Sequence, residues 1–326
     1  MRSKHVFVWI VLLVVLGACC ITRLMLTRST SGELSLAWPE TTYIDYRLVP
    51  MLAAIIVGGA LGVSGMGLQV LLRNPLASPW ILGLSSGAGL GVMASMMIAH
   101  QRGIGIPEGE TIGAVVGALV ALVAVYLLSR GRGGLDPVTM VLVGVVVSVI
   151  CGAGIMVLQH LVPMGLRGSF TTWLMGSLPE TMSYTRLGIL GGVVAAGTLL
   201  LAWWGPSLDA ACLSDDEATS VGVHLPSLRF RLFCISSVLA AVGVIIAGPI
   251  AFVGLIAPHG ARLLLRSNHR MLVVGSAVVG AMLLVGADDV RQLVDLGTGR
   301  LPVGILTSGL GGFVFLLLLL RGRGKV

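Results

Sequence analysis

The sequence predicts an all-α polytopic membrane protein of about ten transmembrane helices, and three observations predict it. Of 326 residues, 56% are hydrophobic and only 11% charged, too little polar surface to coat a water-soluble particle of this size. The apolar residues form continuous runs of about 20, the length of a helix across a hydrocarbon core, which excludes the ten-residue alternating segments of an outer-membrane barrel. The third is an excess of glycine, 46 residues. In lipid, where no hydrophobic drive pulls helices together, small residues let their backbones approach closely.

Windows of about 20 residues place spans at 6–26, 48–72, 80–99, 112–130, 138–161, 187–205, 230–248, 250–266, 271–287 and 302–320. In the first, Leu16-Gly17-Ala18-Cys19 after a basic start resembles a lipoprotein cleavage site. The apolar run continues past the cysteine pair into Ile21 and Leu24, so it reads as a full span. Gly248-Pro249 separates the seventh span from the eighth. The whole chain, 1–326, reads as a single transmembrane domain, with one connection, Pro206 to Arg229, long enough to fold outside the bilayer.

Basic residues set the orientation. With the N-terminus inside, the inner segments collect Arg2, Lys4, Arg73, Arg130, Arg132, Arg229, Arg231, Arg262, Arg266, Arg270, Arg321, Arg323 and Lys325, the larger share of the 21. Ten spans then put both termini in the cytoplasm, in a bacterial inner membrane. The formal charge of +7 has this membrane explanation and gives no ground for a nucleic-acid partner. No Asp, Glu or Lys falls well inside any window, which argues against an ion-coupled secondary transporter acting without an ATPase, the alternative reading. No Gly-x4-Gly-Lys-Ser/Thr phosphate loop is present, so nucleotide energy has to come from another polypeptide. The five cysteines lack zinc or disulfide-framework spacing, and neither catalytic residues, a metal site nor a cofactor is expected.

Within the long inner connection, Ser214-Asp215-Asp216-Glu217 has capping-box spacing, which predicts a short helix starting there with its acidic groups on the positive helix end. Gly222 suits its stop, and Leu208 to Leu213 can form a preceding turn. On spacing alone, a partner-binding knob and a solvated acidic loop both remain open.

Five ordered blocks carry a resemblance. They are Gly58-Gly59-Ala60-Leu61-Gly62-Val63-Ser64-Gly65 continuing through Leu72-Arg73-Asn74-Pro75-Leu76-Ala77-Ser78-Pro79 to Ser85-Ser86-Gly87; Trp173-Leu174-Met175-Gly176-Ser177-Leu178; the Leu208–Val223 loop; Phe252-Val253-Gly254-Leu255-Ile256-Ala257-Pro258-His259; and Leu301-Pro302-Val303-Gly304. Together they resemble the FecCD/BtuC-type permease family, the membrane subunits of type II ABC importers for iron-siderophores, haem and vitamin B12. The resemblance implies a type II ABC importer permease that takes an iron chelate, haem or cobalamin from a periplasmic substrate-binding protein. It implies pairing with a second permease copy as a homodimer and with two cytoplasmic ABC ATPase subunits. It assigns ATPase coupling to Leu213, Ser214, Asp215, Asp216, Glu217 and Ala218 within 206–229. A cytoplasmic gate falls on Asn74, Pro75 and Leu76 and on Pro137 and Val138, although the fifth span lacks the small hydroxyl residues some relatives have there. Docking of the binding protein falls on Arg47, Arg291 and Arg300, the last two displaced from or unlike the family's usual pattern. His160 and Met164, near the outer end of the fifth span, are candidate cargo contacts.

Overall fold

The computed structural model describes residues 2–28, 34–103, 109–131, 134–294 and 301–323. Helix α1 (Arg2–Met25) runs through the Cys19–Cys20 pair as one helix. It leads into an antiparallel pair, β1 (Leu26–Arg28) and β2 (Leu34–Leu36), in which Leu26 faces Leu36. There follow α2 (Asp45–Leu71), α3 (Leu84–Gln101) and α4 (Gly109–Leu128). A minimal pair, β3 (Arg130–Gly131) and β4 (Gly134–Leu135), precedes α5 (Pro137–Leu161), α6 (Met164–Leu174) and α7 (Tyr184–Trp203). Two short helices, α8 (Gly205–Ala211) and α9 (Asp215–Ser220), lead into α10 (Leu225–Ala247), α11 (Val253–Leu265), α12 (His269–Leu293) and α13 (Val303–Arg323).

Each of the ten windows holds a helix. Among the described residues, α1, α2, α4, α5, α7, α10 and α12 are long and apolar enough to cross a membrane; α11 and α13 offer shorter apolar stretches, and α3 is the remaining helix. Helix α3 starts four residues later than its window because Pro79–Leu82 forms a 3-10 turn that ends at Gly83, whose φ of 71° is a left-handed geometry glycine adopts without strain. The expected break after the seventh window falls at Gly248, where α10 stops.

The bundle is built around α2, which packs against α7, α10, α11 and α12. Its glycines explain the closeness of the main contact. A Cβ on Gly58 would stand 2.3 Å from the Gly280 carbonyl oxygen of α12, so only a residue without a side chain fits. Gly91 of α3 meets Gly113 of α4 in the same way, with 1.9 Å available. Buried Ser64 donates to the Ser236 carbonyl of α10 at 2.6 Å, giving its hydroxyl an acceptor where water is excluded.

One expectation is corrected. The ninth window stops at 287, yet α12 continues as helix to Leu293 and carries Asp288 and Asp289 within it. Asp288 is fully buried and forms ion pairs with Arg23 of α1 and, at 2.7 Å, with Arg291 one turn on. A lone carboxylate ends an apolar run on a hydropathy reading. Two guanidinium groups, one from another helix, neutralise this one, so the helix continues.

Candidate functional site

The α8–α9 segment forms as its sequence dictates. Ser214 has extended φ and ψ, its hydroxyl accepts from the Glu217 amide at 3.3 Å, and Glu217 Oε2 accepts from the Ser214 amide at 3.0 Å, a complete capping box. The Ser214 hydroxyl also donates to Glu217 Oε2 at 2.8 Å, and this bond, ahead of the one from the amide, holds the Glu217 carboxyl below its usual range. The helix stops in a Schellman arrangement: the Val223 amide bonds the Ala218 carbonyl, the Gly222 amide bonds Thr219, and Gly222 takes φ 87°. Ala218 and Leu208 are fully buried and seat the two short helices on the bundle, while Leu213, Ser214, Asp216 and Glu217 are exposed.

Charges from three other places fix this segment. Asp215 pairs with Arg73, from the α2–α3 turn, at 2.7 Å and with Arg229 of α10 at 2.9 Å. Burial pushes the Asp215 carboxyl up, but the two arginines, Arg229 foremost, outweigh it and hold it below its usual range. Asp209 of α8 accepts from the His269 amide at the start of α12 at 3.1 Å and pairs with its ring. Arg73 Nε donates to the Ala211 carbonyl at 3.0 Å. Arg73 and His269 were not legible as partners because they lie far away along the chain, and nothing in the spacing singled out the nearer Arg229; the only signal was the basic character of the inner segments.

Arg73 also terminates α2 in an unusual way. Its amide bonds Val70 and the Asn74 amide bonds Gln69, the pattern of a helix stop that calls for glycine, yet arginine holds φ 46° there. Such a residue in the left-handed region costs about 1–2 kcal/mol. The Asp215 and Ala211 contacts hold it in place.

The two segments expected at the gate flank this cluster. Asn74 Oδ1 accepts from the Leu76 amide at 2.9 Å, making a tight side-chain turn through Pro75, and all three residues are exposed. On the other side, Pro137 starts α5 with Asp136 as its cap; Asp136 takes the Thr139 hydroxyl and amide, which together hold its carboxyl below the usual range. Val138 is exposed. Among the described residues no hydrogen bond or ion pair joins Asn74, Pro75 or Leu76 to Pro137 or Val138.

At the opposite end, Arg47 is half-buried and donates to the carbonyls of Leu24 at 2.5 Å and Ala37 at 3.4 Å, so it braces the β1–β2 pair against α2. Arg291 departs from expectation: it is 4% exposed and turned onto Asp288, because α12 runs past its expected end, and it presents no surface to a soluble partner in this chain. Arg300 lies outside the described residues. His160 is exposed in the last turn of α5, and Met164, the first residue of α6, is 81% exposed. Beneath them Phe170 is fully buried and stacks on Trp173 at 6.1 Å.

Comparison with known proteins follows this architecture closely. A solved structure described as an inward-facing conformation of a metal-chelate type ABC transporter superposes with a TM-score of 0.85 at 27% identity, covering 97% of this chain and 99% of the other. The fold and its polar ends therefore define the membrane permease of an ABC importer, a multi-pass protein that leaves ATP hydrolysis to a separate subunit. The chain belongs to the FecCD transport family, whose profile matches residues 6–321. It is 34% identical to the hemin transport system permease protein HmuU of Yersinia pestis, over 92% of each chain. It is also 34% identical to the vitamin B12 import system permease protein BtuC of Vibrio cholerae, over 90% of this chain and 85% of that one. An iron chelatin transport system permease of Helicobacter pylori shares 34% as well, over 86% of this chain and 83% of that one.

Proposed function

We propose that the chain works as one half of a homodimeric importer, with both termini cytoplasmic and in a bacterial inner membrane, and that α8–α9 is its mechanical contact with two ABC ATPase subunits. The observation that carries this reading is a short, doubly capped helix that is braced from below by Asp215 while Leu213, Asp216 and Glu217 point away from the bundle. A rigid element with exposed acidic and apolar groups transmits a push; a frayed loop does not. Because Arg73 belongs to the α2–α3 turn and Arg229 to α10, displacement of α9 moves both segments and, through them, the gate at Asn74, Pro75 and Leu76 and at Pro137 and Val138.

Cargo is an iron chelate, haem or cobalamin, on the named specificities of relatives at equal identity, delivered by a periplasmic substrate-binding protein. Arg47, and Arg300 beyond the described residues, serve its docking; the buried Arg291 does not. His160 and Met164 meet cargo on the exposed side of α5 and α6.

Replacing both Asp216 and Glu217 with lysine tests the coupling assignment. The variant is expected to insert and fold with only the small loss of thermal stability that removing the Glu217 half of the capping box brings, since neither carboxylate touches the bundle, while ATPase co-purification and cargo uptake in proteoliposomes fall at least tenfold. Normal uptake and normal co-purification would remove the assignment.

A further inference from the structure

Between α8–α9, the α2–α3 turn and the α11–α12 turn lies a cavity of about 420 Å³ whose walls include Arg73, Arg262, Arg266 and His269. Two of these side chains are answered within the fold, Arg73 by Asp215 and the His269 ring by Asp209. The other two are not. Half-buried Arg262 donates to the thioether of Met66 at 3.6 Å, a weak and uncharged acceptor. Among the described residues no carboxylate pairs with Arg262 or Arg266.

Gln69 also lines the cavity and is 4% exposed, and its amide nitrogen donates to the Ala77 carbonyl at 3.4 Å. A half-buried guanidinium without a counter-charge weakens the fold unless a ligand completes it. The α12 N-terminus is not the attraction, because Asn268 and Asp209 already accept from the Met271 and His269 amides.

We propose that this cavity binds a phosphate-bearing ligand, with Arg262 and Arg266 taking the phosphate oxygens. Guanidinium forks match the oxygens of phosphate and never lose their charge. A phosphatidylglycerol headgroup and free inorganic phosphate both present anionic phosphate oxygens. Exposed Leu263 and Leu264, just before Arg266, place an apolar rim beside the cations, as a lipid requires. The proposal does not rest on the coupling role of α9. A ligand bound here bridges the α2–α3 turn to the α11–α12 turn and stiffens the base on which α8 sits.

Cys212 provides the readout, since it lines the cavity and is exposed, whereas Cys19, Cys20, Cys151 and Cys234 lie in α1, α5 and α10. The full chain with those four changed to alanine is reconstituted in nanodiscs of phosphatidylcholine, with or without phosphatidylglycerol, and the rate of maleimide addition to Cys212 is measured at fixed pH and ionic strength. Phosphatidylglycerol or added inorganic phosphate is expected to slow the reaction several-fold. Slowing by phosphate in pure phosphatidylcholine identifies the free ion, and slowing by phosphatidylglycerol alone identifies the headgroup. The exposed-site variant Arg266→Gln should abolish the effect and, in native mass spectrometry, lose the retained lipid or phosphate. Equal rates in all conditions, slowing that persists in Arg266→Gln, or slowing that appears only when the ATPase subunit is added would each overturn the proposal, the last because a partner's carboxylate then fills the site.

Discussion

At both ends of the bundle two arginines share one aspartate, and the two clusters differ sharply in burial. Asp288 is 0% exposed with Arg23 and Arg291 at 3% and 4%, whereas Asp215 is 53% exposed with Arg73 and Arg229 at 34% and 15%. The same ions therefore do different work. Buried, they lock α1 to α12, because separating them strands charge in a medium that does not solvate it. Half in water, each bond to α9 is weaker, since water screens each partner that leaves.

Asp288→Asn should produce the largest effect. It removes the carboxylate that Arg23 and Arg291 share and disrupts a buried ion cluster, at a cost of about 3–5 kcal/mol. A thermal melt in detergent checks this, and the triple change Asp288→Asn, Arg23→Met and Arg291→Met should recover much of the loss. If the single variant melts like the parent, the lock is not a lock.

Next in size is Gly58→Val, which tests whether the apolar middle depends on backbone contact as much as the ends depend on charge. The added side chain meets the Gly280 carbonyl oxygen, and overpacking of this kind costs about 1–3 kcal/mol. Gly286→Ala on the same α12 helix, with nothing within 4 Å, should be silent in the same melt.

Asp215→Asn should be far milder than its buried counterpart, about 0.2–1 kcal/mol, and weaker still at high salt. Its pH dependence has a definite sign. The folded carboxyl sits below its usual value, so its contribution is present above about pH 4 and fades as pH falls through the folded value. The gap between parent and variant should thus close on acidification and stay constant around neutrality.

Arg73→Gly should have the smallest effect on stability. Glycine relieves the left-handed backbone by about 1–2 kcal/mol, which offsets the lost ion pair with Asp215. ATPase coupling, by contrast, should drop, because the tether from the α2–α3 turn to α9 is gone. A variant that is both less stable and fully coupled would reverse this ranking.

The α9 helix shows how much was legible beforehand. Ser214, Glu217 and Gly222 are local signals, and the capping box and the glycine stop formed where the spacing placed them, since such contacts need only three to five residues of chain. Asp288 shows the opposite. Hydropathy closed the ninth span before it because nothing nearby in the sequence announces Arg23 as a partner from the first helix. Of the residues expected to dock a soluble protein, Arg47 turned out to brace backbone carbonyls and Arg291 to be buried.

The sequence by itself determined the membrane solvent, the helical class, the ten apolar segments and the capped helix after the sixth span, because each follows from composition or from contacts between near neighbours. The tertiary structure alone decided which charges meet, which glycines touch carbonyls across helices, and that Arg262, Arg266 and Gln69 converge on one cavity. Those depend on how α2, α11 and α12 cross, and the energy of crossing is set by packing between residues that the chain keeps far apart.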